Sequence, residues 1–359
     1  MRKNVLWLLV AVAVLAAGTV LAMPPQERGG NVGLTSSLAV DKWQHDLKDE
    51  IALTFELTNL GADSVSVLRW QMPGDELEAD LLVVERDGVA VPYQGMLAKR
   101  PAPTAEDYVE ILPGETFSVT FDPSAAYDMT VRGEYTIRYR GRLTDVLAEP
   151  SRGGVHAMGT PAATRADVAS NAVNLYVEGV EPGFRLDFPI TEMTIGGYTK
   201  CTTSQQTTLQ TAHANAITIS GKAKNNVVNG TLYTWWFGTY STANDNTVTA
   251  HYNAINDAFV NKSVTYDCGC KKQYYAYVYP NQPYKIYVCK VFWTAPNLGI
   301  DSKAGTLVHE MSHFYVVAST DDYVYGTTGA HNLALTNPSQ AIDNADNHEY
   351  FAENTPALP

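Results

Sequence analysis

The residues best placed to do chemistry are His309-Glu310-Met311-Ser312-His313. On a helix, positions i and i+4 lie on one face, so the two imidazoles can share one metal ion. Glu310 between them can take a proton from a water held on that metal. A zinc hydrolase needs a third protein ligand and keeps an open position for water. Asp321, Asp322, His331, His348, Glu349 and Glu353 are the candidates downstream. A turn just after the helix could return a carboxylate to the metal, and Glu349, on a later segment, is the rival. Against this stands a plainer reading, an exposed helical turn that carries two histidines by chance.

The elements that must position these groups divide the chain near residue 190. In the C-terminal half, residues 203–227 and 245–259 have helical spacing, and residues 274–279 and 285–293 read as strands separated by Pro280 and Pro283. That predicts a small sheet with an edge strand ahead of a helix over 302–317, followed by short helices from 328 to 351 with a break at Pro338. Residues 34–176 show short alternating apolar runs instead: 51–57, 81–85, 116–121 and 135–139. Asp87-Gly88 and Pro113-Gly114 supply turns between them. Such spacing points to an all-β sandwich. This half has no cysteine and no cluster of catalytic type (His156 stands alone late in it), so it reads as a folded accessory or pro-domain. Residues 24–34 form a Pro/Gly-rich leader, and 177–192 a linker with Gly179, Pro182 and Pro189.

Arg2 and Lys3 precede an apolar run over residues 5–17, and Val20-Leu21-Ala22 offers a small-residue cleavage site. These features predict a signal peptide and export. Cys201, Cys268, Cys270 and Cys289 fit an exported chain with two disulfides. A bond between Cys268 and Cys270 would be strained, so each is expected to pair elsewhere, giving a long loop from Cys201 and a short loop to Cys289. A metal cluster is disfavoured because no Cys pair has zinc-finger spacing. The net charge is −13, with 16 Lys+Arg against 27 Asp+Glu before residue 193 and 9 against 11 after it. That balance leaves no footprint for nucleic acid.

Beyond His313 the chain reads Ser319-Thr320-Asp321-Asp322-Tyr323-Val324-Tyr325-Gly326. With the HExxH motif, this resembles the aspzincin metalloendopeptidases, whose signature continues Gly-Thr-x-Asp-x-x-Tyr-Gly; only the first fixed position differs, Ser319 standing for Gly. The resemblance implies Zn2+, one per chain, held by His309, His313 and Asp322, with Glu310 as general base and Tyr325 stabilising the oxyanion. Asp321 falls on a variable position and reads as a solvated loop carboxylate.

Within that family the chain is similar to the peptidyl-Lys metalloendopeptidases, through Thr234-Trp235-Trp236-Phe237-Gly238, the four cysteines, and the run from Ala345 to Asn354. The likeness covers residues 193–359 and implies that Asp346 and Glu349 line a pocket for a lysine after the cleaved bond. Carboxylates at i and i+3 face one side of a helix and suit an ammonium with three donors. A solvated acidic helix face is the plainer alternative, and His348 between the two carboxylates reads as structural.

The expected architecture is multidomain. A signal peptide (1–22) precedes a β-rich, sandwich-like propeptide with its linker (23–192) and an α+β zincin-type peptidase domain, mostly helical with a small sheet (193–359). The expected activity is secreted zinc endoproteolysis on the amino side of lysine. Protein or peptide substrates are its only expected partners: no nucleic acid, no membrane in the mature form, and a monomer by default. The alternatives are a deuterolysin-like protease of broader specificity, and a secreted β-sandwich binding protein with a vestigial zinc site. By resemblance to precursors of the family, the β-rich half assists folding or covers the cleft, and its removal is expected near 190–193.

Overall fold

The computed structural model describes residues 33–47, 49–149, 164–179 and 196–354. The signal peptide, His156, most of the linker and the expected maturation site lie outside the described residues.

The described residues between 34 and 178 place their strands in three sheets, apart from one short segment that joins a fourth. Leu53–Asn59 lies between Leu34–Val40 and Thr116–Phe121, antiparallel to both. Gly133–Tyr139 is central in a second sheet, between Leu82–Arg86 and Val173–Glu178. Alternation places Leu53, Phe55 and Leu57 on one buried face and Tyr135, Ile137 and Tyr139 on another. The Phe55 and Tyr139 rings meet at 4.6 Å between centroids, joining the two faces in one core. The third sheet holds Thr164–Asp167, Arg142–Glu149, Ser64–Leu68 and Tyr108–Ile111 in that order.

The C-terminal half contains seven α-helices among the described residues: α1 (Thr203–Lys224), α2 (Thr231–Phe237), α3 (Thr242–Asn261), α4 (Lys303–Ser312), α5 (Gly326–Thr336), α6 (Pro338–Ile342) and α7 (Ala345–Asn354). A capping box between Thr202 and Gln205 starts α1. Leu209, Ala212 and Ala216 of α1 pack in one core with Tyr252, Ile255 and Phe259 of α3. None of these helices is long and apolar enough to cross a membrane. The small sheet runs Tyr198–Thr199, Thr265–Asp267, Lys285–Val288, Ala276–Val278, with the last pair antiparallel. Disulfides Cys201–Cys268 and Cys270–Cys289 tie the segment after Thr265–Asp267 to the start of α1 and to the end of Lys285–Val288. They close the long and short loops expected from the spacing.

Two departures matter for function. The helix expected over 302–317 ends at Ser312, with His313 at its C-cap; His313 keeps helical dihedrals, so the two imidazoles still share a face. More important, the β-rich half is not self-contained. Its strand Leu97–Lys99 leaves the N-terminal sheets and adds antiparallel to Ala276–Val278, becoming the fifth strand of the C-terminal sheet.

Candidate active site

Helix α4 is buried at every residue, which removes the reading of an exposed turn. Ser302 caps it by accepting from Gly305 N, and Gly305 is required: a Cβ there would fall within 1.9 Å of a Glu353 carboxylate oxygen. The next turn brings Thr320 back onto the helix end, where Ser312 and Thr320 hydroxyls meet at 2.6 Å. His313 Nδ1 donates to the Thr320 carbonyl at 2.8 Å, and His309 Nδ1 faces Asp346 Oδ1 at 2.8 Å. Both Nε2 atoms therefore point to the same place. There they lie 3.2 and 3.5 Å from Asp322 Oδ1.

The arrangement calls for a cation. His309 Nε2, His313 Nε2 and both Asp322 oxygens are buried without a hydrogen-bond partner. Such orphaned groups are costly unless something pairs them. Burial works against a charged His309, but Asp322, Asp346 and Glu349 outweigh it and raise its pKa well above the usual imidazole value. Burial lowers His313 to about 4 and pushes Glu310 up to about 8. Two imidazoles and a carboxylate converging on one point, with outer partners fixing the far ring nitrogens, match a catalytic zinc set.

A second cluster, His309, Asp346 and Glu349, could hold a metal by proximity. It uses the outer nitrogen of His309, and a lysine ammonium already occupies it. Lys99 Nζ lies 2.6 Å from Glu349 Oε2, 3.4 Å from Asp346 Oδ1 and 3.0 Å from Asp301 Oδ1. Its side chain is fully buried, as are those of Asp346 and Glu349. The rings of Tyr275 and Tyr350 flank it at 5.2 and 5.3 Å. Burial disfavours the ammonium, yet Asp346 and Glu349 more than offset it and raise the Lys99 pKa.

Tyr325 donates its hydroxyl to the Ala98 carbonyl at 3.0 Å and accepts from Arg100 Nη1 at 2.8 Å. Arg100 also reaches the Glu78 carbonyl at 2.9 Å and stacks near Trp70 and Tyr274. Tyr274 and Lys272 of the C-terminal half bond Glu78 in turn, so Arg100 sits inside a polar cluster spanning both halves.

A family profile described as lysine-specific metallo-endopeptidase, aspzincin type, matches residues 222–353. An extracellular protease of Aeromonas hydrophila is 41% identical over 357 residues, covering 96% of this chain and 98% of its own. A peptidyl-Lys metalloendopeptidase of Grifola frondosa is 36% identical over 278 residues, 75% of this chain and 76% of its own. The chain belongs to the aspzincin family. It is a zinc metalloendopeptidase. Among solved structures, a zinc peptidase from Grifola frondosa is 42% identical and is matched along its whole length, 44% of this chain, with a TM-score of 0.42.

The aspzincin turn explains the one departure from the signature. Ser319 has φ of +56°, the left-handed region where glycine is favoured, so the turn is kept with a strained residue in place of Gly. Of the candidate third ligands, only Asp322 faces both Nε2 atoms. His331 stacks on Trp235 at 3.9 Å, His348 meets His251 and the Asn344 carbonyl, and Glu353 accepts from Asp301 N and Ser302 N. Asp321 is not the solvated carboxylate the sequence suggested. It is partly buried, accepts from Asp322 N at 2.8 Å, and faces Arg140. Its backbone exchanges hydrogen bonds with Asp343 and Ala345, which sets the turn beside α7.

Several groups were missed. Asn344 Oδ1 accepts from Tyr323 N and Val324 N and so holds the segment between Asp322 and Tyr325. Asp301 completes the carboxylate pocket. The N-terminal half, read as an accessory or pro-domain from which no site residue was named, contributes Ala98, Lys99 and Arg100. The clue available was compositional: a Lys-Arg pair within a half of the chain that holds few lysines.

Proposed function

We propose that this aspzincin cuts peptide bonds on the amino side of lysine, and that it is exported as a precursor whose residues 193–359 are the peptidase. The observation that carries the specificity is the pair Asp346 and Glu349, two fully buried carboxyl groups closing on an ammonium. Three carboxylates around one point suit the three N–H donors of a lysine better than the planar fork of an arginine. A neutral side chain there would leave buried carboxylates unpaired, at a cost of several kcal/mol.

His309, His313 and Asp322 would hold one zinc ion, which when bound supplies Lewis acidity and lowers the pKa of a coordinated water. The chain's own groups do the rest. Glu310 takes a proton from the attacking water and passes it to the leaving amine. Its placement supports this, since Glu310 Oε1 lies 3.3 Å from the amide nitrogen of Lys99, the position a leaving amine would hold. Tyr325 donates to the carbonyl oxygen as negative charge builds there, a preorganised contact worth about 2.7–4 kcal/mol in comparable sites. Asp346 fixes the His309 ring from behind.

The test is a cleavage map of a denatured protein digested by the zinc-loaded, processed enzyme, with a chelator control. New amino termini should be lysine almost throughout. Termini spread over many residue types would favour a broader, deuterolysin-like specificity instead.

A further inference from the structure

The segment 97–100 lies as a peptide about to be cut would lie. It pairs antiparallel with Ala276–Val278 in the register Ala276 to Lys99, Tyr277 to Ala98 and Val278 to Leu97. Tyr275 N donates to the Lys99 carbonyl at 3.1 Å. The Lys99 ammonium fills the carboxylate pocket. The Lys99 amide points at Glu310, and the Ala98 carbonyl accepts from Tyr325 and, at 3.3 Å, from Arg100. A structural ion pair would require only the side-chain contacts. The amide on the proton carrier and the carbonyl on the oxyanion donor are requirements of a reacting bond. Lys42, the other described lysine of the N-terminal half, is exposed and pairs with Asp49.

We propose that the Ala98–Lys99 bond is a processing site of this chain, held in its own active site and hydrolysed within the same molecule once zinc is loaded. The proposal rests on the lysine-directed reading above. Water adds its oxygen to the Ala98 carbonyl carbon and the bond to the Lys99 nitrogen breaks. Glu310 carries the proton from water to that nitrogen, leaving an Ala98 carboxylate and a new amino terminus at Lys99. One water is consumed and no redox partner is needed. Until the bond is cut, the segment excludes other substrates from the cleft.

The full chain is purified in chelator, loaded with zinc, and followed by intact mass and amino-terminal sequencing, beside a synthetic peptide containing one lysine. Fragments ending at Ala98 and beginning at Lys99 should form at a rate unchanged by dilution. Glu310→Gln should slow this cut by roughly 10²–10⁴-fold. In a mixture, wild-type enzyme should leave the Ala98–Lys99 bond of folded Glu310→Gln chains intact, because that bond is buried in their own clefts. Lys99→Ala should remove the cut while sparing cleavage of the peptide. If the peptide is cut while Ala98–Lys99 stays whole, the processing site is overturned and lysine specificity stands. If the peptide is cut elsewhere than before lysine, both fall. A rate that rises with concentration, or cutting of the Glu310→Gln bond in the mixture, overturns the intramolecular route.

Discussion

Asp346 touches His309 and Lys99 with the same oxygen, 2.8 Å from His309 Nδ1 and 3.4 Å from Lys99 Nζ. One carboxylate thus contacts both a proposed metal ligand and the ammonium in the proposed lysine pocket. The resemblance implied a pocket role for Asp346 and Glu349, and the contact with His309 adds a second role for Asp346. Asp346→Asn should weaken zinc affinity by roughly 10–100-fold, as loss of an outer partner does, as well as lowering lysine preference. Zinc titration against a competing chelator, read beside the cleavage map, checks both; unaltered zinc affinity would remove Asp346 from behind His309.

Glu349 and Asp301 both meet the ammonium, but their surroundings differ. Glu349 is fully buried at 2.6 Å, whereas Asp301 is 38% exposed at 3.0 Å. Solvent screens the exposed pair, leaving it about 0–1 kcal/mol. Breaking the buried one strands a charge, at about 3–5 kcal/mol. Glu349→Gln should therefore depress kcat/KM for lysine substrates by more than about 100-fold, and Asp301→Asn by less than about tenfold. Equal losses would show that water reaches the pocket floor.

Tyr325 offers a sharper separation of binding from chemistry. Its hydroxyl is 3.0 Å from the Ala98 carbonyl, which on the proposed reading stands where the carbonyl of a bond being cut would lie. Tyr325→Phe keeps the ring, which packs edge-on to Trp70, and removes only the donor. A fall in kcat of about 10²–10³-fold with little change in KM is expected. A rise in KM at constant kcat would mean that the hydroxyl only binds substrate.

How much of this was readable from residues alone depends on sequence distance. His309, Glu310 and His313 are local, because one helical turn places them whatever surrounds the helix. Asp322 was readable because the turn that returns it is short and its residue types are constrained, down to the left-handed position at Ser319. The strands of the N-terminal half announced themselves by alternation, as Leu53–Asn59 shows. What could not be read was the partner of the pocket. Lys99 is 247 residues from Asp346, and nothing in the alternating pattern around it marks Leu97–Lys99 as a strand for another sheet. Its three residues are all buried, unlike the half-buried strands around it, but that is visible only once the chain is folded. Helix α2 was also passed over. Its aromatic run Trp235-Trp236-Phe237 reads as a family motif before it reads as a helix, although Trp236 and Phe237 are core residues packed on Tyr350 and Phe351.

Ser319 tests the turn that carries Asp322 without touching the chemistry. A residue with a Cβ costs about 1–2 kcal/mol in the left-handed region, while glycine gives back roughly 0.5–1 kcal/mol through its freer unfolded chain. The balance favours Ser319→Gly by about 0.5–1 kcal/mol. The Ser319 backbone N–H, which donates to the Phe314 carbonyl at 3.2 Å, is unaffected by the change. The variant should melt a few degrees above wild type in the zinc-free state, with kcat and the cleavage map unaltered. A lower melting temperature would mean that the Ser319 side chain contributes something to the turn that outweighs its backbone strain.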